Sequence, residues 1–501
     1  MEAERIIRIN DRDNVAVATV EIPAGATMTL PEGQITVKEQ IPAGHKMALD
    51  KILESENVIK YGYPIGHALR DIMPGEHVHT HNLKTNLKEM LSYEYHPENR
   101  IRQEDMPEHR EELSFDGYLR PDGRAGIRNE VWIIPTVGCV GHTAQILEQE
   151  AARRFGGRVD GIHAFIHPLG CSQLGEDLET TQKLLAGLVR HPNAGGVLVL
   201  SLGCENNNLE NFRRGLGETD PQRIRFLVTQ EVEDEIETGL QILDELTRYA
   251  SEFRRERLSA DHLVVGFKCG GSDGLSGITA NPLCGRVNDQ ITGRGGTTIL
   301  TEVPEMFGAE QILMDRADSE ETFEKTVRLI NGFKEYFIRH GQEIYENPSP
   351  GNKEGGITTL EDKSLGCIQK GGCGDVTDVL DMGQTASKSG LNLLNGPGND
   401  LVSCTNLTAS GAQMILFTTG RGNPFGAPVP TIKVSSNSAL AEKKGNWIDF
   451  DAGRVLRKHG FDAARDALTV YILDVASGRT QTNNEKNGYR EIALFRDGVT
   501  L

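Results

Sequence analysis

The chain has 501 residues, and at about 150 residues per domain that predicts roughly three domains. Hydrophobic residues make up 38% and charged residues 25%, which is ordinary globular usage and excludes both wholesale disorder and a single small binding module. Lys and Arg total 53 against 72 Asp and Glu, a net charge of −19 with no basic run, which argues against nucleic acid or an anionic membrane as partner.

The first fifteen residues are charged (Glu2, Glu4, Arg5, Arg8, Asp11, Arg12, Asp13) and hold no apolar core, so no signal peptide is expected. The longest apolar stretches, such as 196–203, fall short of the roughly 18 residues of a membrane span. Eight cysteines without a secretion signal point to a reduced, cytoplasmic setting, where cysteines are buried, catalytic or metal-binding. Glycine is the outlier, 56 residues or about 11% against a usual value near 7%.

Residues 6–85 read as short strands cut by turns, with Pro-Ala-Gly at Pro23 and Pro42 and Pro74-Gly75 as turn chemistry, which predicts a small β-rich domain over 1–86. Residues 87–113 are polar and lack periodicity, as in a linker. From 114 onward, apolar runs are followed by Gly-rich turns and then by helical periodicity, the pattern of strand-loop-helix units around a parallel sheet. Charged residues near 246–261 place a second boundary at 255, giving α/β domains over 114–255 and 256–501.

In open α/β sheets ligands bind beyond the carboxyl ends of the strands, so the residues after each apolar run carry the information. Cys139, Cys171, Cys204 and Cys269 all fall there beside glycines, as metal ligands or as packed thiols. His77, His79 and His81 alternate after Pro74-Gly75, so a strand would present three imidazoles on one side, suited to iron, zinc or other transition metals. Arg124 and Arg128 offer guanidinium forks for a carboxylate. The loops 347–353, 395–400 and 418–424, the last containing Arg421, are rich in amide and hydroxyl groups. Neither a GxGxxG loop opening a helix nor a GxxxxGK[ST] loop is present, which disfavours dinucleotide and nucleoside triphosphate chemistry.

The strings 75–82, 135–140, 170–175, 191–200, 269–282, 347–353 and 447–453 together carry a resemblance: the sequence is similar, essentially end to end, to the altronate branch of the altronate/galactarate dehydratase family. The resemblance implies an N-terminal β-clip domain of the SAF type, a linker, a middle α/β domain and a C-terminal Rossmann-like parallel-sheet domain. It also implies a hydro-lyase dependent on Fe2+ or Mn2+, acting on a small sugar acid, with further copies of the chain as partners in a dimer. The histidine triplet is not a hallmark of the galactarate branch, and so favours D-altronate as substrate.

Dehydration of a 2,3-dihydroxy acid requires removal of the proton next to the carboxylate and expulsion of the 3-hydroxyl, leaving a 2-keto-3-deoxy acid. For that chemistry His77 and His79 are expected to hold metal, and His142, His167, Lys268 and Glu205 to supply acid or base. Asn206, Ser272, Asp273 and Arg421 are expected to contact hydroxyls, and Arg124 and Arg128 to bind the carboxylate. A second reading is an iron-sulfur lyase, with a cluster on three of Cys139, Cys171, Cys204 and Cys269. A third is a sugar-acid binding protein without catalysis.

Overall fold

The protein is described here by a computed structural model covering residues 5–31, 33–88, 90–99, 112–456 and 460–497. Of the expected linker 87–113, residues 89 and 100–111 lie outside the described residues.

The N-terminal region is built from short antiparallel strands, as its turn chemistry predicts. Ile6–Ile7, Val15–Ala18, Lys46–Ala48 and His77–Val78 pair in that order, Thr27–Leu30 and Gly33–Thr36 form a hairpin, and Tyr63–Ala68 lies between Asn57–Lys60 and Leu83–Lys84. One part of its core, Ala16, Ile22, Met28, Ile41 and Met47, is self-contained. The other part, including Ile52, Val58, Ile65 and Val78, is continuous with the apolar core of residues 263–476, so this region docks firmly onto the C-terminal one.

The middle region holds four parallel strands in the order Gly161–Ala164, Glu130–Pro135, Ala194–Ser201, Ile224–Val228. Strand Ala194–Ser201 is buried throughout because helices cover both faces, which explains why it reads as one apolar run rather than an alternation. Val197 and Val199 pack into one core, Leu198 and Leu200 into the other.

The C-terminal region holds seven parallel strands in the order Val376–Leu380, Gly390–Leu394, Thr297–Leu300, Val264–Cys269, Met414–Thr419, Thr431–Ser435, Phe450–Asp451. Winding reverses at Val264–Cys269, which puts a crevice beyond the carboxyl ends of the central strands. A small antiparallel sheet, Ala125–Gly126 with Ser114–Leu119 and Glu256–Ser259, ties the start of the middle region to the start of the C-terminal one.

The two parallel sheets have a fixed mutual direction. Helices Gly175–Arg190 and Asp400–Ala409 lie side by side: Gly383, bonded to Asn406, abuts Lys183, and Gly187 abuts Ala409. Just beyond, His191 bonds the Ala412 carbonyl and Asn193 that of Gln413. The helices therefore run parallel, and strands Ala194–Ser201 and Met414–Thr419 start next to each other. Both carboxyl edges consequently face the same way.

Candidate active site

At the carboxyl edge of the C-terminal sheet lies a pocket of about 310 Å3, at the small end of the range for ligand sites. The first central strand delivers Cys269, Gly270, Gly271 and Ser272; the next strand end delivers Glu305; the loop 395–400 delivers Gly398 and Asp400; and Asn347, Ser349, Asn352 and Lys363 form the facing wall. A larger cleft of about 800 Å3 is lined mainly by exposed charges of the helices Gly175–Arg190 and Glu320–Arg339, without a convergent buried polar cluster.

The pocket floor is a buried charge network. The Lys268 ammonium pairs with Glu302, lies 3.1 Å from Asp400 and donates to the Gly398 carbonyl at 2.9 Å. Glu302 has φ +74, a left-handed conformation costly for a non-glycine residue, and there its carboxylate accepts the Cys269 amide at 2.8 Å. Lys363 lies 2.8 Å from Glu305 and donates to Asn347 Oδ1 at 3.0 Å and Asn352 Oδ1 at 3.1 Å. The thiols of Cys269 and Cys367 both reach Glu305 Oε2, at 2.9 and 3.1 Å, and the Lys370 ammonium lies 2.9 Å from Cys269 Sγ. Burial opposes the charge on Glu305, but Lys363, Lys268 and Lys370 overrule it and hold its carboxyl well below the usual range.

A second cluster sits where the N-terminal region docks. His45 Nδ1 and His77 Nε2 share a hydrogen bond at 2.9 Å, and His79 Nδ1 meets Thr358 Oγ1 at 2.9 Å. His45, His77 and His79 each bring a ring nitrogen within 4.8 Å of the others, as do the donors of Cys269, Glu305 and Cys367. Burial pushes His77 down to about 3 and His79 to about 4, reinforced by neighbouring imidazoles and by Lys46, so these rings are neutral near pH 7. The two clusters share one segment: Asn347, Ser349, Asn352 and Lys363 line the pocket, while the Glu354 carbonyl meets His45 Nε2 at 3.1 Å and Thr358 meets His79.

His77 and His79 thus come together, but not on one strand. The strand ends at Val78, His79 lies in the turn that follows and His81 is exposed. Their partner His45 was missed because it arrives through pairing of Lys46–Ala48 with His77–Val78, 32 residues away in sequence. Glu302, Glu305, Lys363, Cys367 and Lys370 were missed as well, since nothing local marks a buried ion pair whose partner is distant.

Ser272 lines the pocket, and Arg421 lies beside it, bonding the Gly351 carbonyl and Glu354. Lys268 lies beneath it, but as a base it is corrected. Burial alone would lower its pKa, yet Glu302, Asp400 and Glu305 raise it well above the ordinary value and keep it protonated. Asp273 is half-buried and accepts from Ser276, Ser436 and Asn437, so it holds the loop and is not part of the pocket lining.

Arg124 and Arg128 lie at the amino edge of the middle sheet, away from the pocket. Arg124 is spent on Asp122 and the Arg190 carbonyl, and Arg128 is buried against Glu485 and the Val475 carbonyl. His167 is buried with both ring nitrogens engaged, one at 2.8 Å from the Pro135 carbonyl and the other accepting the Leu169 amide, which leaves none for acid or base work. Glu205 accepts from Thr136, Ser201 and the Leu202 and Gly203 amides, and despite burial those hydrogen bonds depress its pKa; it is a loop staple. Asn206 Oδ1 accepts the Ser172 amide, and His142 is exposed at the start of helix Gly141–Phe155. The four cysteines do not form one set: Cys269 is buried in the C-terminal region, whereas Cys139, Cys171 and Cys204 are exposed on the middle one.

Comparison with known proteins now decides the family. Residues 4–86 match the altronate/galactarate dehydratase SAF domain, 117–251 the second domain of D-galactarate dehydratase/altronate hydrolase, and 260–500 the D-galactarate/altronate dehydratase C-terminal domain. The chain belongs to the altronate/galactarate dehydratase family. Within it, the chain is 50% identical to an altronate dehydratase of Bacillus subtilis over 499 residues, 99% of each chain, and 49% identical to that of Escherichia coli over 497, again 99% of each. It is 32% identical to an Escherichia coli galactarate dehydratase (L-threo-forming) over 519 aligned positions, 98% of this chain and 96% of the other. No helix among the described residues of this dehydratase-family chain is long and apolar enough to cross a membrane.

Proposed function

We propose that this hydro-lyase dehydrates D-altronate to 2-keto-3-deoxy-D-gluconate in the pocket at the carboxyl edge of the C-terminal sheet. The observation that carries the reading is convergence on one small pocket of a buried ammonium (Lys363), an accessible carboxylate (Asp400) and four neutral polar side chains, Ser272, Asn347, Ser349 and Asn352. Full-length identity near 50% to altronate dehydratases, against 32% to the galactarate enzyme, supports altronate over galactarate.

Lys363 receives the substrate carboxylate in place of one of its present amide partners, Asn347 or Asn352, while keeping Glu305. Burial alone would lower its pKa, but Glu305 raises it, so the ammonium stays charged and offsets the negative charge that grows on the carboxylate as the C2 proton leaves. The amide and hydroxyl groups of Asn347, Asn352 and Ser272 orient the polyol. Asp400, held by Lys268 and by Asn423 Nδ2 at 2.6 Å, takes the C2 proton. That proton then lies in the same pocket as the departing 3-hydroxyl and leaves with it as water, and the remaining enol tautomerises to the keto acid.

Of the two donor sets, the histidines fit a divalent ion such as Fe2+ or Mn2+. Neutral imidazoles present lone pairs, whereas Cys269, Glu305 and Cys367 already share protons and face the cations Lys363 and Lys370. His45, His77 and His79 would hold the ion, which when bound supplies Lewis acidity toward substrate oxygens.

The test is anaerobic incubation with D-altronate, with and without Fe(II), following 2-keto acid formation, with galactarate in parallel. Iron-dependent product from altronate is expected, and Asp400→Asn is expected to lower kcat by at least about 100-fold, the usual scale for loss of a general base. Product from galactarate alone would overturn the substrate assignment. No product from either acid, with ligand still bound, would favour the binding-protein reading.

A further inference from the structure

The pocket uses none of the three exposed cysteines, and their placement is not that of packed thiols. Of the eight cysteines, Cys139, Cys171 and Cys204 alone are exposed. Free cysteine is among the most buried residue types, so three exposed thiols after neighbouring strands of one sheet call for a reason. Each follows a different strand of the middle sheet: Cys139 follows Glu130–Pro135, Cys171 follows Gly161–Ala164 and Cys204 follows Ala194–Ser201. Those strands are immediate neighbours, with Glu130–Pro135 in the centre, and neighbouring strands lie roughly 4.8 Å apart.

The three loops are locked together. The Gly138 amide donates to the Leu169 carbonyl, the Asn207 amide to the Gly170 carbonyl, and the Ser172 amide to Asn206 Oδ1. Asn207, wholly buried, also donates from Nδ2 to the Thr136 carbonyl, while its Oδ1 has no hydrogen-bond partner. Glu205 staples the third loop to Thr136 of the first. A buried acceptor without a donor is uncommon, and this one lies on the residue that ties the Cys171 and Cys204 loops to Thr136. Helices Gly141–Phe155, Gly175–Arg190 and Leu209–Leu216 each begin within a few residues of one of the cysteines, and their N-terminal amides favour an anionic guest.

We propose that Cys139, Cys171 and Cys204 form a three-thiolate site for a [4Fe–4S] cluster, leaving one iron without a cysteine ligand. A single ion draws its donors close together, and the three thiols are not all within 4.8 Å of one another, as the two compact donor groups among the described residues are. A cluster accepts a wider spread because each thiolate binds a different iron. The open iron would bind an oxygen donor on the side toward which both sheets turn their carboxyl edges. His142 is exposed three residues after Cys139, and Asn206 follows Cys204 and accepts the Ser172 amide beside Cys171.

The site is independent of the altronate reading, and the experiment separates the two. The full chain is purified anaerobically, reconstituted with Fe(II) and sulfide, and assayed for iron, acid-labile sulfide and visible thiolate-to-iron absorption. About four irons and four sulfides per chain are expected, as for a [4Fe–4S] cluster. Sulfide and colour should be lost in Cys139→Ser, Cys171→Ser and Cys204→Ser, each with an unchanged far-ultraviolet circular dichroism spectrum, and kept in Cys269→Ser. Colour surviving all three substitutions, protein with iron but no sulfide, or stoichiometric zinc in place of both would overturn the proposal. Colourless protein that still dehydrates altronate removes the cluster and leaves the reaction. Coloured protein inert toward both acids does the reverse.

Discussion

Asp362→Asn tests how the N-terminal region is held. Asp362 is fully buried and receives two ammonium groups from that region, Lys46 Nζ at 2.8 Å and Lys60 Nζ at 2.8 Å, whose side chains are 0% and 2% exposed. Lys46 also donates to the Gly356 carbonyl and Thr358 Oγ1, and among the described residues neither lysine pairs with a second carboxylate. Burial pushes Lys46 down to about 8 even with Asp362 beside it. Loss of that carboxylate leaves two buried cations facing no counter-charge, a defect of about 3–5 kcal/mol. At 1.4 kcal/mol per tenfold, local opening should rise roughly a hundred-fold to a few thousand-fold. Hydrogen exchange over 46–60 and 358–365 reads this directly.

The pH dependence follows from the same group. Burial opposes the Asp362 charge, but Lys46 and Lys60 depress its pKa below the ordinary value, so its stabilisation is complete above about pH 4 and is lost as pH falls through the folded value. Asp362→Asn should abolish that acid limb. Replacing all three groups by apolar residues of similar size should recover much of the loss. An exchange change below about fivefold in a folded variant, equivalent to about 1 kcal/mol, would refute the argument and show that water screens the pair.

Lys363→Gln is expected to lower kcat/KM for altronate by about 10- to 100-fold, the value of one charged hydrogen bond, and steady-state kinetics checks it. His79→Ala should weaken Fe(II) binding by more than about 100-fold in chelator competition, beyond the usual effect of an outer-shell partner; unchanged affinity would remove His79 from the ligand set. Gly274→Ala would put a Cβ 1.8 Å from the Gly44 carbonyl oxygen, forcing backbone apart where the N-terminal region docks; a loss of about 1–3 kcal/mol should appear as a lower melting temperature.

The fold was legible from sequence where its signals are local. Apolar runs buried on both faces, Gly-rich turns after them and turn chemistry in the first 86 residues are all short-range patterns. The site was legible only where a single loop carries it, as with Ser272 and the 347–353 string. Arg128 shows why the rest was not. A guanidinium fork looks the same whether it awaits a substrate or closes on Glu485, 357 residues further along the chain. Glu205 fails in the same way, because a carboxylate that caps its own loop amides has the composition of a catalytic one. The four cysteines share a strand-end position, yet Cys269 belongs to a different sheet from the others, as a boundary near 255 implies, and only the three-dimensional strand order makes the strands before Cys139, Cys171 and Cys204 immediate neighbours.

The contact of Gly187 with Ala409 reaches beyond packing. A side-chain carbon at 187 would lie 2.3 Å from the Ala409 carbonyl oxygen, so a single hydrogen in place of a methyl sets how near the two helices approach. No chemistry-bearing group lies at that point, yet the spacing there governs the tilt between the cysteine crevice of one sheet and the lysine-floored pocket of the other. Enlarging residue 187 is thus a wedge driven between the two halves, felt first by the apolar core they share, where Val197 and Val199 meet Ile415 and Phe417.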